Sequence, residues 1–260
     1  MRYFLELAYN GGPFHGWQSQ PNAVSVQSTI EKALSIILRE NISITGAGRT
    51  DTGVNAKQMY AHFNPPQEIT DSSRFLLSLN SMVGKDIEIK KLIPVHEEAH
   101  TRFDAIKRTY KYFITFNKNP FLKNLCWLSP SSLNMEMMNK ASEILLGTKD
   151  FTSFAKLHSD AKTNICDVTE AFWCPLTEDM EAFEFLGNLN NGFVFTITAD
   201  RFLRNMVRAV VGTLVEVGRG KLSIERFKNI IEEKNRSSAG TSMPAQALYL
   251  WHISYPFLTE

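Results

Sequence analysis

No apolar run in this chain approaches the roughly 18 residues that a membrane-spanning helix requires, which excludes a helical bilayer protein. Cysteine is sparse: Cys126, Cys166 and Cys174 form no Cys-x-x-Cys pair. An odd count of this kind fits reduced thiols in a cytoplasm. Net charge is only +1, so the molecule as a whole is not a basic polyanion binder. Contact with nucleic acid would have to come from uneven placement of charge. The opening residues, Met1-Arg2-Tyr3-Phe4-Leu5-Glu6, set an acid where a secretory signal keeps an apolar core, and predict no leader. Gly/Ser-rich and Pro-rich linkers are missing, and so is any internal repeat. The 260 residues are 43% hydrophobic and 21% charged, ordinary for a globular protein of one large domain or two sharing a core.

Charge is unevenly placed. No Lys or Arg falls between Lys162 and Arg201, while Asp167, Glu170, Glu178, Asp179, Glu181 and Glu184 do. Two segments lean basic. One runs from Arg102 through Lys107, Arg108, Lys111, Lys118 and Lys123, with Asp104 its only acid; the other holds Arg201, Arg204 and Arg208. Taken alone, such runs most often mark a solvated face.

Periodicity predicts strands over 2–8, 57–63, 86–95, 107–116, 192–198 and 248–253. Helices are predicted over the segment capped by Ser25, with Val26, Ile30, Ala33, Leu34 and Ile37 inward, and over 72–79, 136–146, 202–217 and 223–234. On a helix from 202, Arg201, Arg204 and Arg208 would share one side. Without a strict βαβ rhythm, this mixture predicts an α+β architecture with a largely antiparallel sheet. A boundary is expected near 104–107, giving halves at 1–104 and 105–260 that share a continuous structure.

What is abundant is chemistry in one short string, Gly46-Ala47-Gly48-Arg49-Thr50-Asp51-Thr52-Gly53-Val54-Asn55-Ala56. Glycines at 46, 48 and 53 permit backbone angles other residues avoid, so the loop can hold Asp51 outside regular structure. Arg49 offers a planar fork to a carboxylate or phosphate, and a nearby cation favours the ionised acid. Such an acid can serve as nucleophile, base or metal ligand.

Three other patterns are set aside. Asp51-Thr52-Gly53 is the aspartic-protease tripeptide, but only one copy is present and Arg49 opposes a shared proton. His96-Glu97-Glu98-Ala99-His100 spells a zinc motif that needs a helix to bring both histidines to one face, and Pro94 and the preceding strand leave little room for one. Gly46-x-Gly48 lacks the third glycine of a dinucleotide fingerprint. Tyr110, on the apolar face of its strand, reads by default as a core tyrosine.

Read together, the motifs resemble the tRNA pseudouridine synthases of the TruA type, along nearly the whole chain. The family string Gly-Arg-Thr-Asp-x-Gly-Val-His-Ala is met by Gly48 to Ala56. Gly16-Trp17-Gln18, Gln20-Pro21-Asn22 and Val26-Gln27 match its opening. His100-Thr101-Arg102-Phe103, Arg108-Thr109-Tyr110-Lys111-Tyr112 and Phe202 to Arg208 follow in order, then Ala239-Gly240, Pro244-Ala245 and Leu248. Departures are Asn55 for histidine, Thr101 for alanine, Thr241-Ser242 for Pro-Thr, and Ala247 for glycine; none touches the acid.

The resemblance implies a curved mixed sheet flanked by helices, in two similar halves around a basic cleft. It implies isomerisation of uridine to pseudouridine in the tRNA anticodon stem-loop, at positions 38–40, without cofactor or metal. Asp51 would be the catalytic nucleophile. Tyr110 would pack on the target uracil, Arg49 would pair with Asp51 or RNA phosphate, Arg208 would enter the cleft, and Leu248 would help line it. A cytoplasmic homodimer is expected. The alternatives are a non-catalytic RNA-binding protein of the same fold, or a zinc hydrolase using His96 and His100.

Overall fold

A computed structural model describes residues 1–156, 162–187 and 191–258. In chain order the main elements begin β1 (Arg2–Tyr9), α1 (Val26–Leu38), β2 (Thr45–Gly46), β3 (Asn55–Phe63), α2 (Ser72–Val83) and β4 (Ile87–Val95). Then come β5 (Lys107–Thr115), β6 (Trp127–Leu128), α3 (Met135–Gly147), β7 (Val168–Pro175), α4 (Met180–Phe185) and β8 (Gly192–Ala199). The last are α5 (Met206–Gly218), α6 (Ile224–Glu232) and β9 (Leu248–Ser254). The chain forms two compact units: Met1–Lys107 with Tyr249–Glu260, and Arg108–Leu248. Each carries a mixed, mostly antiparallel sheet flanked by helices, so the α+β class read from the sequence is borne out. Among the described residues no helix is long and apolar enough to cross a membrane.

In the first unit β1 lies between β3 and β4, antiparallel to both, and β2 pairs with β3. The far end of the chain returns to this unit: β9 runs parallel to β3 through Asn55↔Tyr249 and Ala56↔Leu250. β1 is buried on both faces, as an inner strand must be. One face gathers Phe4, Tyr60, His62, Tyr255 and Phe257; on the other, Tyr3 and Phe63 stack toward Phe75 of α2. α1 starts where Ser25 predicts, because the Ser25 hydroxyl accepts the Ser28 N–H at 3.1 Å and the Ser28 hydroxyl accepts the Ser25 N–H at 3.2 Å.

In the second unit β8 lies between β5 and β7, antiparallel to both, and β6 runs parallel to β5. α3 packs on β7 and α5, and α6 on α3 and α5. The acid-rich stretch is not simply a wet face, because Asp179 pairs with buried Lys111 of β5 and also caps α4, accepting the Ala182 N–H at 3.1 Å.

One helix differs from expectation. α5 begins at Met206, not at 202, because Asn205 takes the left-handed conformation (φ 65°) and its amide donates to the Ser242 hydroxyl at 2.6 Å. The arginine stripe expected from 201 to 208 therefore does not exist as one helical face. Only Arg208 is on the helix; Arg201 and Arg204 belong to the irregular chain before it.

Candidate active site

Asp51 sits on irregular backbone between β2 and β3, half-buried, with Arg49 exposed beside it in sequence. The loop is held at several points. Ala47 N–H donates to the Tyr60 carbonyl at 2.8 Å, fixing the entry. Thr50, buried, accepts the Trp17 N–H at its carbonyl (3.2 Å), and its hydroxyl bonds the Tyr9 hydroxyl at 2.8 Å. Val54 N–H closes a turn onto the Asp51 carbonyl at 3.1 Å, and Gly53 takes φ +80° to make that turn. Asn55 is buried and accepts the Gly11 N–H at 2.8 Å, tying the exit of the loop to the chain after β1.

The glycines divide differently from the sequence reading. Within the string only Gly53 uses a positive φ. Gly46 is needed for space, since a Cβ there would stand 2.5 Å from the Trp17 ring. A Cβ at Gly48 would meet nothing within 4 Å. Gly16, outside the string, matters more: it has φ +89°, and a Cβ would come 2.6 Å from the Thr50 carbonyl oxygen and 3.3 Å from the Asp51 carbonyl carbon. Sequence reasoning missed Gly16 as part of the acid's support; its place in Gly16-Trp17-Gln18 was the available signal.

The second unit holds the other expected residues. Tyr110 lies in β5 opposite Ile197 of β8; its ring is half-buried and meets Phe202 edge-to-face at 5.0 Å. A core tyrosine would be closed over, as Tyr112 is, whose hydroxyl donates to the Pro244 carbonyl at 3.1 Å. Burial raises the Tyr112 pKa far above its ordinary value. Arg208 Nε donates to the Met243 carbonyl at 2.6 Å, and the Arg208 carbonyl accepts the Met243 N–H at 3.0 Å. The irregular 240–243 segment can run this close to α5 because both segments carry glycine: a Cβ at Gly212 would stand 1.9 Å from the Thr241 oxygen, and one at Gly240 2.9 Å from the Thr213 nitrogen. The Ser242 hydroxyl accepts Arg236 Nη2 at 2.8 Å. Leu248, the last residue of this unit, is buried at the start of β9. Arg49 and Asp51 thus fall in one unit and Tyr110, Arg208 and Leu248 in the other.

The zinc motif gains no support. Residues 96–100 form a turn, not a helix, and His100 Nδ1 already accepts two backbone N–H groups. Among the described residues no group of three or more His, Cys, Asp and Glu side chains is arranged to hold a metal.

The profile of the tRNA pseudouridine synthase family matches residues 141–256. A protein named tRNA pseudouridine synthase A from Parabacteroides distasonis is 50% identical over 98% of this chain and 96% of its own. One of the same name from Porphyromonas gingivalis is 50% identical over 98% of this chain and 97% of its own; one from Bacillus subtilis is 34% identical over 98% and 99%. At these identities over these lengths, the chain belongs to the tRNA pseudouridine synthase A family. The resemblance drawn from the motifs, and the isomerase class it implies, are borne out.

Proposed function

We propose that this chain isomerises uridine to pseudouridine in the anticodon stem-loop of tRNA, at positions 38–40, with Asp51 as the catalytic carboxylate. The observation that carries this reading is an acid held half-buried on a loop braced through Thr50, Trp17, Tyr9 and Gly16, in a chain of this family. The reaction breaks the N1–C1′ bond, rotates the base and forms a C5–C1′ bond. C5 loses a proton and N1 gains one, so no electrons are exchanged and the chemistry calls for neither a redox cofactor nor a metal. One ionised carboxylate suffices, by covalent attack or by steadying the sugar. The target base must leave its stack to reach Asp51. Tyr110, partly open to solvent, supplies an aromatic face on which that base packs. Arg49 serves Asp51 or an RNA phosphate, Arg208 projects toward the same nucleotide, and Leu248 forms part of the wall.

In this reading the N-terminal half, 1–104, carries the acid loop, and the C-terminal half, 105–260, completes a basic cleft that reads RNA mainly by shape and backbone charge. The enzyme works as a cytoplasmic homodimer. The test is incubation of the purified chain with unmodified tRNA, then chemical mapping. Pseudouridine at 38–40 is expected. Modification elsewhere would correct the site, and none at all would remove the activity. Light scattering of the same preparation tests the dimer.

A further inference from the structure

Phe103 is 74% exposed, yet it stands on a turn that is hydrogen-bonded throughout. His100 Nδ1 accepts the N–H groups of Arg102 (3.1 Å) and Phe103 (3.4 Å). Asp104 returns the hold: its carboxylate accepts the His100 N–H at 2.8 Å, and its own N–H donates to the His100 carbonyl at 3.0 Å. The base of the turn is anchored by Arg2, which donates to the Ala99 carbonyl at 2.8 Å. It is also anchored by fully buried Thr101, whose hydroxyl donates to the Thr45 carbonyl at 2.8 Å. Burial, ahead of the neighbouring charges, lowers the His100 pKa. The ring therefore stays neutral near pH 7, as an accepting Nδ1 requires. Phe103 is exposed because this framework holds it out, not because the chain is slack.

The surroundings of the ring select the ligand. The His100 ring lies 4.2 Å from it and the Arg102 guanidinium 5.7 Å. Exposed Ile106 and Lys107 follow, and Asp104, the only acid from 102 to 123, has its carboxylate turned to the His100 backbone. An aromatic face with a cation beside it suits a flat, electron-rich ring attached to an anion. A paired stem offers no open base face; a loop nucleotide does.

We infer that the 100–104 turn is a second RNA contact, at which Phe103 stacks on an unpaired base outside the reacting nucleotide and Arg102 meets the adjoining phosphate. This rests on the tRNA reading above.

The experiment measures binding of unmodified tRNA, and of a fully paired RNA duplex of similar length, to the full chain carrying Asp51→Asn so that turnover does not intervene. Adding Phe103→Ala should weaken tRNA binding about 5- to 150-fold, the range a lost base stack produces. Duplex binding and melting temperature should hold, and Phe103→Trp should restore tRNA affinity. Arg102→Ala should lower the salt slope of binding by about one. Equal tRNA affinity with and without Phe103 would overturn the inference. So would parallel loss on duplex and tRNA, or a change only in self-association, which would make the turn a protein contact. Failure of the Asp51→Asn chain to bind tRNA at all would instead strike the tRNA reading itself.

Discussion

Asp51 in the first unit stands on irregular backbone between β2 and β3, whereas Tyr110 and Arg208 in the second stand on a strand and a helix. The two supports fail differently. β5 is held by a continuous ladder from Arg108↔Ala199 to Thr115↔Gly192, so replacing Tyr110 removes one side chain and leaves its neighbours in register. The acid loop has no ladder. Its position depends on separate contacts, among them Thr50 with Trp17 and Tyr9, Gly16 against Thr50, and the Gly53 turn, so losing one of these can move the carboxylate itself. The acid therefore depends on separate contacts far from it in sequence, and the aromatic face on a strand held along its whole length.

The largest effect should come from the acid. Asp51→Asn keeps the size of the side chain and removes its charge. Pseudouridine formation should fall by at least about 10³-fold, as losses of a catalytic nucleophile do. Tritium release from C5-labelled tRNA measures it, with tRNA binding and melting temperature as controls. Unchanged turnover would remove Asp51 from the chemistry and require another group as the catalytic one.

Next is Gly16→Ala, which touches no reacting atom. It forces a non-glycine residue to φ +89° and brings a methyl group 2.6 Å from the Thr50 oxygen. The strain should cost roughly 1–3 kcal/mol, seen as a lower melting temperature. A displacement of the acid of about 1 Å should cut single-turnover rate about 10²-fold. Lost stability with full turnover would break the comparison, because the loop would then tolerate movement without moving the acid.

How much of this was legible beforehand follows from what each feature depends on. α1, β5 and the Asp51 string were readable because cap, alternation and turn residues are local. The start of α5 was not. Leu203, Met206, Val207 and Val210 continue one apolar period across Asn205, and only a bond to Ser242, 37 residues away, turns that residue left-handed. β7 and α4 carry little local signal: β7 has no strict alternation and ends in proline, and α4, at 6 residues, is too short to show a helical period. Gly16 against Thr50, and Lys111 with Asp179, are encounters between distant segments that no window along the chain contains.

On the regular side of the comparison, Tyr110→Ala should lower turnover more than tRNA affinity. The loss corresponds to one base stack, about 1–3 kcal/mol or roughly 5- to 150-fold. The ladder should keep β5 in place, so melting should change little. A drop in melting temperature with turnover intact would return Tyr110 to the core.

The first unit also carries a pH-dependence of its own. His62, buried in β3 with Nδ1 2.9 Å from the Thr101 hydroxyl, has its pKa lowered from 6.5 to about 4, chiefly by burial and then by Arg2 and His100, with Asp104 opposing. Between those values the unfolded chain binds a proton that the folded chain refuses. The stabilisation is therefore complete above pH 6.5 and is lost progressively as pH falls toward 4. Its size is up to roughly 2–3 kcal/mol. Melting curves from pH 4 to 7 should show this slope, and His62→Gln should flatten it.

The smallest effect is expected inside the acid loop, where Gly48 contrasts with Gly16. Gly48 does not take a positive φ, and a Cβ there would meet nothing within 4 Å. Gly48→Ala should therefore shift stability by no more than about 0.5 kcal/mol, as a surface change does, or slightly raise it by restricting the unfolded chain. A melting temperature equal to the parent's is the expected result. A large drop would mean that the loop's backbone is held by more than Thr50, Gly16 and Gly53. Paired with Gly16→Ala, the measurement separates glycines that position the acid from glycines that merely accompany it. If melting holds while turnover falls, the missing side chain at 48 leaves room for the RNA rather than for the protein.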